Sequence, residues 1–226
     1  MKLSKETTKL LEQYVVINPA IIIEKGNRLI TKSISRTILS TVTTKEVFEH
    51  ELCISHLAQF LSILSCFNEP EITINDKKII IQENGQRFSY AMSDRDVVES
   101  LGQTNKLIPN EPEYNYEFVL AAEKLNKLLS MMRIAAFDSV RFFSRDGSVF
   151  ATVFTKNSPT VNNFEVQLSE GYDGEEFSFM LPKGDMTMID KSLSYKVSAS
   201  SRGLCRLDSL GTDNGLTYWI AFVVED

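Results

Sequence analysis

The segment Leu101–Tyr116 constrains the fold most, because neither helical nor strand periodicity runs through it. It contains Pro109 and Pro112, and proline fixes φ, removes an N–H donor and pushes the preceding residue into an extended conformation. A stretch of this length without secondary structure inside a compact protein is usually a linker or a functional loop. We therefore predict an interdomain connector over residues 101–116, between an N-terminal domain of residues 1–100 and a C-terminal domain of residues 117–226.

The composition suits a folded protein of two modest domains. The chain has 226 residues, of which 43% are hydrophobic, and a formal net charge of −6. An acidic chain is unsuited to wrapping nucleic acid with its whole surface, although a local basic face remains open. The first residues lack the apolar core of a signal peptide, and no apolar run reaches membrane-spanning length, so we expect a soluble intracellular protein.

The sequence lacks the usual motifs of catalysis and cofactor binding. Phosphate-cradling glycine patterns and the GxSxG elbow are missing, and a Ser-His-Asp set is improbable with only His50 and His56 available. The three cysteines have no zinc-ligand spacing. The acidic run Asp173–Glu176 is better explained as a hairpin turn than as a calcium loop. We therefore expect no enzymatic activity, no metal site and no cofactor.

The first half opens with an amphipathic helix that Ser4 is suited to cap. Its apolar residues recur at helical spacing and fill one side. The opposite side carries a lysine stripe, which on its own is most often a solvated helix face. The apolar set is Leu3, Thr7, Leu10, Leu11, Tyr14 and Ile17, and the stripe is Lys2, Lys5 and Lys9.

The second half repeats this plan without repeating the residues. A helix is predicted over Glu117–Ala136, with Lys127 opposite its apolar side and Lys124 and Arg133 at the margins, so its cationic face is thinner than that of the first helix. Each half reads as a long helix, a set of strands, a short helix and three further strands, and the short helix near Pro182 adds only Lys183. The pattern predicts an α+β fold of two repeated domains, each with antiparallel sheets and two helices on one face.

Five segments resemble, in order and spacing, the sliding clamp of T-even-type bacteriophages, a DNA polymerase processivity factor that is similar in fold to proliferating cell nuclear antigen. They are MKLSKETTKLL, FLSILS, LNKLLSMMR, SEGYDGEEFSF and YWIAFVVED. The resemblance covers essentially the full length, and the opening segment is its most specific part.

The resemblance implies the DNA-clamp fold and a homotrimeric ring that encircles duplex DNA without sequence specificity. Such a ring tethers the replicative polymerase, is loaded by an ATP-dependent clamp loader, and has no enzymatic activity of its own. A role in viral late transcription is a weaker implication. The place of action would be the cytoplasm of the infected bacterial host cell, and no membrane partner is implied.

The resemblance also implies three sets of site residues. The DNA-facing set is Lys2, Lys5, Lys9, Lys124, Lys127 and Arg133. The subunit interface would pair the edge strand Gln86–Met92 with Phe177–Leu181, through Phe88, Tyr90, Met92, Phe177, Phe179 and Leu181. A partner-peptide pocket beside the connector would comprise Leu107, Ile108, Pro109, Tyr114, Tyr116, Val223 and Val224, although the same apolar residues would equally serve to pin the connector to its own domains.

Two other classes of function stay open from the sequence. A trimeric structural or scaffold protein of a virus would have the same pattern, with lysine faces that are merely solvated. Reversing the charge of these lysines separates the two hypotheses, because it impairs a clamp and leaves a scaffold unaffected. A small-molecule enzyme has no residue set to support it.

Overall fold

The computed structural model describes residues 1–75, 77–104, 108–156 and 162–222. Contacts within the chain divide it into two compact units, Met1–Ile108 and Pro109–Asp226. Among the described residues, no helix is long and apolar enough to cross a membrane.

The first unit consists of antiparallel strand pairs and two principal helices. Strand β1 pairs with β4, β2 pairs with β3, and β5, β6 and β7 form a three-stranded sheet in that order. The elements are α1 (Lys5–Ile17), β1 (Ile21–Ile23), β2 (Gly26–Lys32), β3 (Ile38–Phe48), β4 (Leu52–Ile54), α2 (Leu57–Leu64), β5 (Glu71–Asn75), β6 (Lys78–Glu83), β7 (Gln86–Ala91) and α3 (Arg95–Val98).

The second unit has two four-stranded antiparallel arrangements, with strand orders β11-β10-β9-β12 and β15-β14-β13-β8. Its elements are β8 (Tyr116–Leu120), α4 (Ala122–Ile134), β9 (Ser139–Arg145), β10 (Ser148–Phe154), β11 (Asn163–Glu170), β12 (Ser178–Pro182), α5 (Lys183–Met186), β13 (Ser194–Ser200), β14 (Leu204–Leu210) and β15 (Thr217–Ala221). Both units therefore contain a long helix, four strands, a short helix and three strands in this order, and the predicted α+β repeat is confirmed.

Helix α1 begins where the sequence indicates, because Ser4 caps it. The Ser4 Oγ accepts a hydrogen bond from the Thr7 N–H at 3.2 Å, which satisfies one of the free donors at the helix start. The Glu46 carboxylate of β3 accepts hydrogen bonds from the Ser4 N–H and the Thr7 hydroxyl. Partial burial raises the pKa of Glu46, but these hydrogen bonds outweigh it and hold the pKa below its ordinary value.

The same burial pattern fixes the orientation of both long helices. In α1 the buried residues include Leu11 and Tyr14, and this side packs on β2, β3 and α2. In α4 the buried residues are Leu125, Leu128 and Met132, and the helix packs against β10, β11 and β13. Each helix therefore buries one side in its own unit and exposes the other.

One local prediction is wrong. Residues 117–120 form strand β8 and not the first turn of a helix, because Phe118 and Leu120 alternate with exposed neighbours and pair with β13. The chain around Gly26 does not form a hairpin, because β1 pairs with the distant β4 while β2 pairs with β3. A tight turn at Asn84-Gly85 joins β6 to β7, and both residues have positive φ as a two-residue hairpin turn requires.

The connector is anchored at both ends. At its start, the chain kinks at Leu101 and Gly102 and is held by the buried Gln103, whose amide donates to Thr31 and to the Lys32 carbonyl, each at 3.2 Å. At its end, Glu111 forms an ion pair with Arg206. The Asn115 N–H donates to the Ala199 carbonyl at 3.0 Å.

Replacing Glu46 by Gln tests the cap of α1. A carboxylate whose pKa is lowered by folding stabilises the native state at neutral pH, and this contribution is lost as the pH falls through the lowered pKa. We expect Glu46→Gln to reduce the free energy of unfolding by about 1 kcal/mol at pH 7 and to have no effect in acid. Chemical denaturation at both pH values measures this difference. The exposed Glu49→Gln is the matched control, and an equal loss in both variants would contradict the account.

Candidate nucleic-acid interface and protein-contact surfaces

The exposed side of α1 carries the predicted lysines. Lys5 and Lys9 are exposed, and neither makes an ion pair with a residue in the described ranges. Lys2 lies before the helix and pairs with Glu69 at 3.2 Å. Lys5 and Lys9 line a groove between α1 and the end of α2, where Glu12 lies beside them. This face therefore offers two ammonium groups that are free to meet an anion.

The three predicted cations of α4 spread across its exposed side. Lys127 is exposed, with its ammonium 6.0 Å from the centre of the Phe164 ring, and Lys124 is half-buried. Arg133 is exposed in the last turn, where the helix dipole favours a positive charge. Arg133 also lines a groove that α4 forms with α5 and the following turn. The structure thus places Lys127 and Arg133 on different flanks of the helix.

The predicted interface strand β7 is an edge of its sheet and carries one exposed aromatic ring. Phe88 is 40% exposed although it lies opposite the fully buried Ile81 on the core side of the sheet. Tyr90 is 7% exposed and meets Phe60 edge to face, with 5.3 Å between ring centres. Met92 follows the strand and is half-buried. Phe88 is therefore a core-side residue that its own unit leaves partly uncovered.

The three residues predicted on the other side of the interface do not lie on the surface. Phe177, Phe179 and Leu181 are 6%, 2% and 1% exposed. Phe179 packs against Phe118 and Phe142, with ring centres 6.4 and 5.4 Å away. Phe179 and Leu181 lie on the same side of β12, and Phe177, just before the strand, stacks on Phe118 with 5.7 Å between ring centres. The three side chains cannot contact a neighbouring subunit unless the core of the second unit unpacks. A subunit contact through the backbone of this strand stays a prediction.

Sequence reasoning missed a second edge strand, β11, which pairs only with β10 among the described strands. Its residues Phe164, Val166 and Leu168 are half-buried, and they alternate with exposed polar residues. Phe164 and Val166 lie opposite the fully buried Val153 and Ala151, so they belong to the core side of the sheet. The alternation in NNFEVQLS indicates a half-buried strand, but its place at the edge of the sheet depends on its pairing with β10.

The residues predicted for a partner-peptide pocket divide into two groups. Leu107, Val223 and Val224 lie outside the described residues. Of the others, Ile108 and Pro109 are half-buried, and Tyr116 stacks on Phe177 with ring centres 4.9 Å apart. Tyr114 is half-buried with its hydroxyl oxygen enclosed, and this burial raises its pKa. The contacts of the two tyrosines favour the alternative that these residues fix the connector to the second unit. The peptide pocket stays a prediction.

Comparison with known proteins agrees with this architecture. Residues 4–98 match the family model of the DNA polymerase processivity factor. The chain is 29% identical to the sliding clamp of Enterobacteria phage T4 over 208 residues, which are 90% of this chain and 89% of the relative. It is 25% identical to the sliding clamp of Vibrio phage KVP40 over 226 residues, 98% of each chain.

A solved structure extends the likeness to the fold. Proliferating cell nuclear antigen (PCNA) of A. fulgidus, with the C-terminal region of FEN-1 bound, superposes with a TM-score of 0.73 at 13% identity and covers 100% of this chain and 98% of its own. The resemblance stated from the sequence is therefore confirmed: the chain has the DNA-clamp fold and is similar in sequence to the sliding clamps of T-even-type bacteriophages.

Proposed function

We propose that the chain assembles as a homotrimeric ring that encircles duplex DNA and tethers the replicative polymerase, without catalysis of its own. The observation that carries the proposal is the pair of long helices, each with one side buried and the other exposing lysines, in a chain of net charge −6. Lys5, Lys9 and Lys127 are the exposed ammonium groups of these faces. Carboxylates over the rest of the surface repel DNA and leave the helix faces as its place of contact.

Such contacts suit a protein that must move along DNA. Lysine–phosphate contacts carry no sequence information and weaken steeply with salt. Retention then depends on topology, because a closed ring cannot leave DNA sideways. A polymerase bound to the ring is held at high effective concentration near the primer end, which is the physical origin of processivity.

We propose that the ring closes through the edge strands β7 and β11, in place of β7 and β12. Both edges carry core-side apolar residues that their own units leave partly exposed, Phe88 on β7 and Val166 on β11. Pairing the two edges would cover these residues and satisfy free backbone groups along both strands. The outward residues also differ in charge, with Arg87 on β7 and Glu170 on β11, whereas Glu165 of β11 forms an ion pair with Arg145 at 2.9 Å.

The partners follow from this assembly. We propose an ATP-dependent loader that opens the ring, a replicative polymerase that binds it, and a role in viral late transcription, all in the cytoplasm of the infected bacterial cell. The bound C-terminal region of FEN-1 on a PCNA supports the capture of partner tails. In this chain the described candidates for such capture are Ile108, Pro109, Tyr114 and Tyr116.

Charge reversal of the helix lysines tests the clamp against the scaffold alternative. We expect Lys5→Glu, Lys9→Glu and Lys127→Glu together to reduce processive primer extension by the replicative polymerase at least tenfold, because three lysines per subunit that attract phosphate become carboxylates that repel it. The control changes three exposed lysines elsewhere, Lys25, Lys78 and Lys156, to Glu. Equal activity of the two triple variants would contradict DNA contact by the helices.

Replacing Phe88 by Asp tests ring closure. The wild-type chain is expected to sediment near 77 kDa, three times its 25.6 kDa mass. A buried carboxylate at the proposed interface should raise the concentration at which the trimer dissociates by more than tenfold, while circular dichroism stays unchanged because Phe88 is already 40% exposed. Val47→Asp is the control, at an apolar residue of the same unit that is 63% exposed. Unchanged sedimentation of the Phe88 variant would exclude β7 from the interface.

A further inference from the structure

The last part of the connector is held on the second unit by a cluster of side chains centred on Arg206 of β14. The Arg206 guanidinium forms an ion pair with the Glu111 carboxylate of the connector. Its Nε donates to the Asp208 carboxylate at 3.0 Å, and Asp208 also accepts from the Thr217 hydroxyl of β15 at 2.8 Å. The guanidinium carbon lies over the Trp219 ring, 5.8 Å from the ring centre. The sheet therefore fixes the position of Arg206, and the connector supplies a carboxylate to it.

The bond of Glu111 to Arg206 is the loosest part of this cluster. The Glu111 side chain is 41% exposed, and residues 108–115 have no regular secondary structure. An exposed ion pair of this kind contributes little to stability. The connector is bound through its backbone further along, where the Asn115 N–H donates to the Ala199 carbonyl. Glu111 can therefore leave Arg206 while this backbone attachment stays in place.

Two polar atoms beside Arg206 are enclosed and have no hydrogen-bond partner in the described part of the chain. They are the indole Nε1 of Trp219 and the hydroxyl oxygen of Tyr114. Burial raises the pKa of Tyr114, and the nearby indole N–H opposes this rise, so the two groups are neighbours. Buried polar groups without partners are costly. An acceptor bound here would satisfy both the indole N–H and the tyrosine hydroxyl.

We propose that Arg206, Trp219 and Tyr114 form a binding site for a carboxylate in the tail of a partner protein, and that Glu111 is an internal competitor that occupies this site in the free chain. The inference rests on the proposed function, because it concerns partner tails captured beside the connector. All three side chains offer hydrogen-bond donors, and a carboxylate accepts at both of its oxygens. Because Glu111 is tethered at high effective concentration, only a tail that supplies a better-placed carboxylate displaces it.

The test is the affinity of the full chain for the replicative polymerase, measured by biolayer interferometry at constant salt. Glu111→Gln should raise this affinity about threefold, because it removes the competing carboxylate. Arg206→Gln should lower it about tenfold, because it removes the charge that binds the partner, and Arg206→Lys should recover part of the loss. The controls are Glu113→Gln and Arg202→Gln, which make the same charge changes at exposed residues and should leave the affinity unchanged.

The opposite signs of the two effects separate a binding site from a structural contact. If Glu111→Gln and Arg206→Gln both lower the affinity, or if either has no effect, the carboxylate site is overturned and the proposed function stands. If the wild-type chain binds no polymerase, both are overturned. The single tryptophan, Trp219, reports through its emission whether each variant is folded. If Arg206→Gln unfolds, the sign for Glu111→Gln decides, since a rise in affinity supports the site and any other result overturns it.

Discussion

The packing of one long amphipathic helix on antiparallel strands is the interaction on which each unit depends. Leu11 of α1 and Leu128 of α4 are fully buried, and full burial of such a side chain stabilises the fold by about 1.5–3 kcal/mol. Because burial fixes which side of the helix turns inward, it also decides which side carries Lys9 and Lys127. The cationic faces are therefore consequences of the hydrophobic core, and they persist as long as the helices stay packed.

Periodicity predicted the long helices and the repeated plan, because a helical stripe is a local property of the sequence. It failed at residues 117–120, because a short apolar run is compatible with both helix and strand. Pairing with the distant strand β13 determines that these residues form a strand. The resemblance implied an interface strand over Phe177–Leu181, but burial of the Phe179 ring depends on Phe118, which is remote in the chain. Likewise, the proximity of Lys191 to Arg133 arises from a turn whose position only tertiary contacts set. The sequence thus predicted most helices and strands, but not which elements pack or pair with one another.

The electrostatics of the molecule fit weak and evenly distributed contact with a polyanion. Surface ion pairs such as Lys2–Glu69 and Lys77–Asp94 are largely exposed, and pairs of this kind contribute little to stability. The cations that matter for the proposed function are those that no carboxylate neutralises. In the proposed clamp these cations contact phosphates, so every position along the duplex is equivalent and motion along DNA meets no sequence-dependent barrier.

The most direct test of encirclement is retention on a linear duplex that carries biotin at both ends, measured after a high-salt wash. If the chain forms a ring around DNA, streptavidin added after the protein should trap it, because the ends are then closed and salt removes only the phosphate contacts. Streptavidin added before the protein should abolish retention, because a ring cannot thread over blocked ends. Retention that is independent of the order of addition, or absent in both orders, would contradict a ring around DNA.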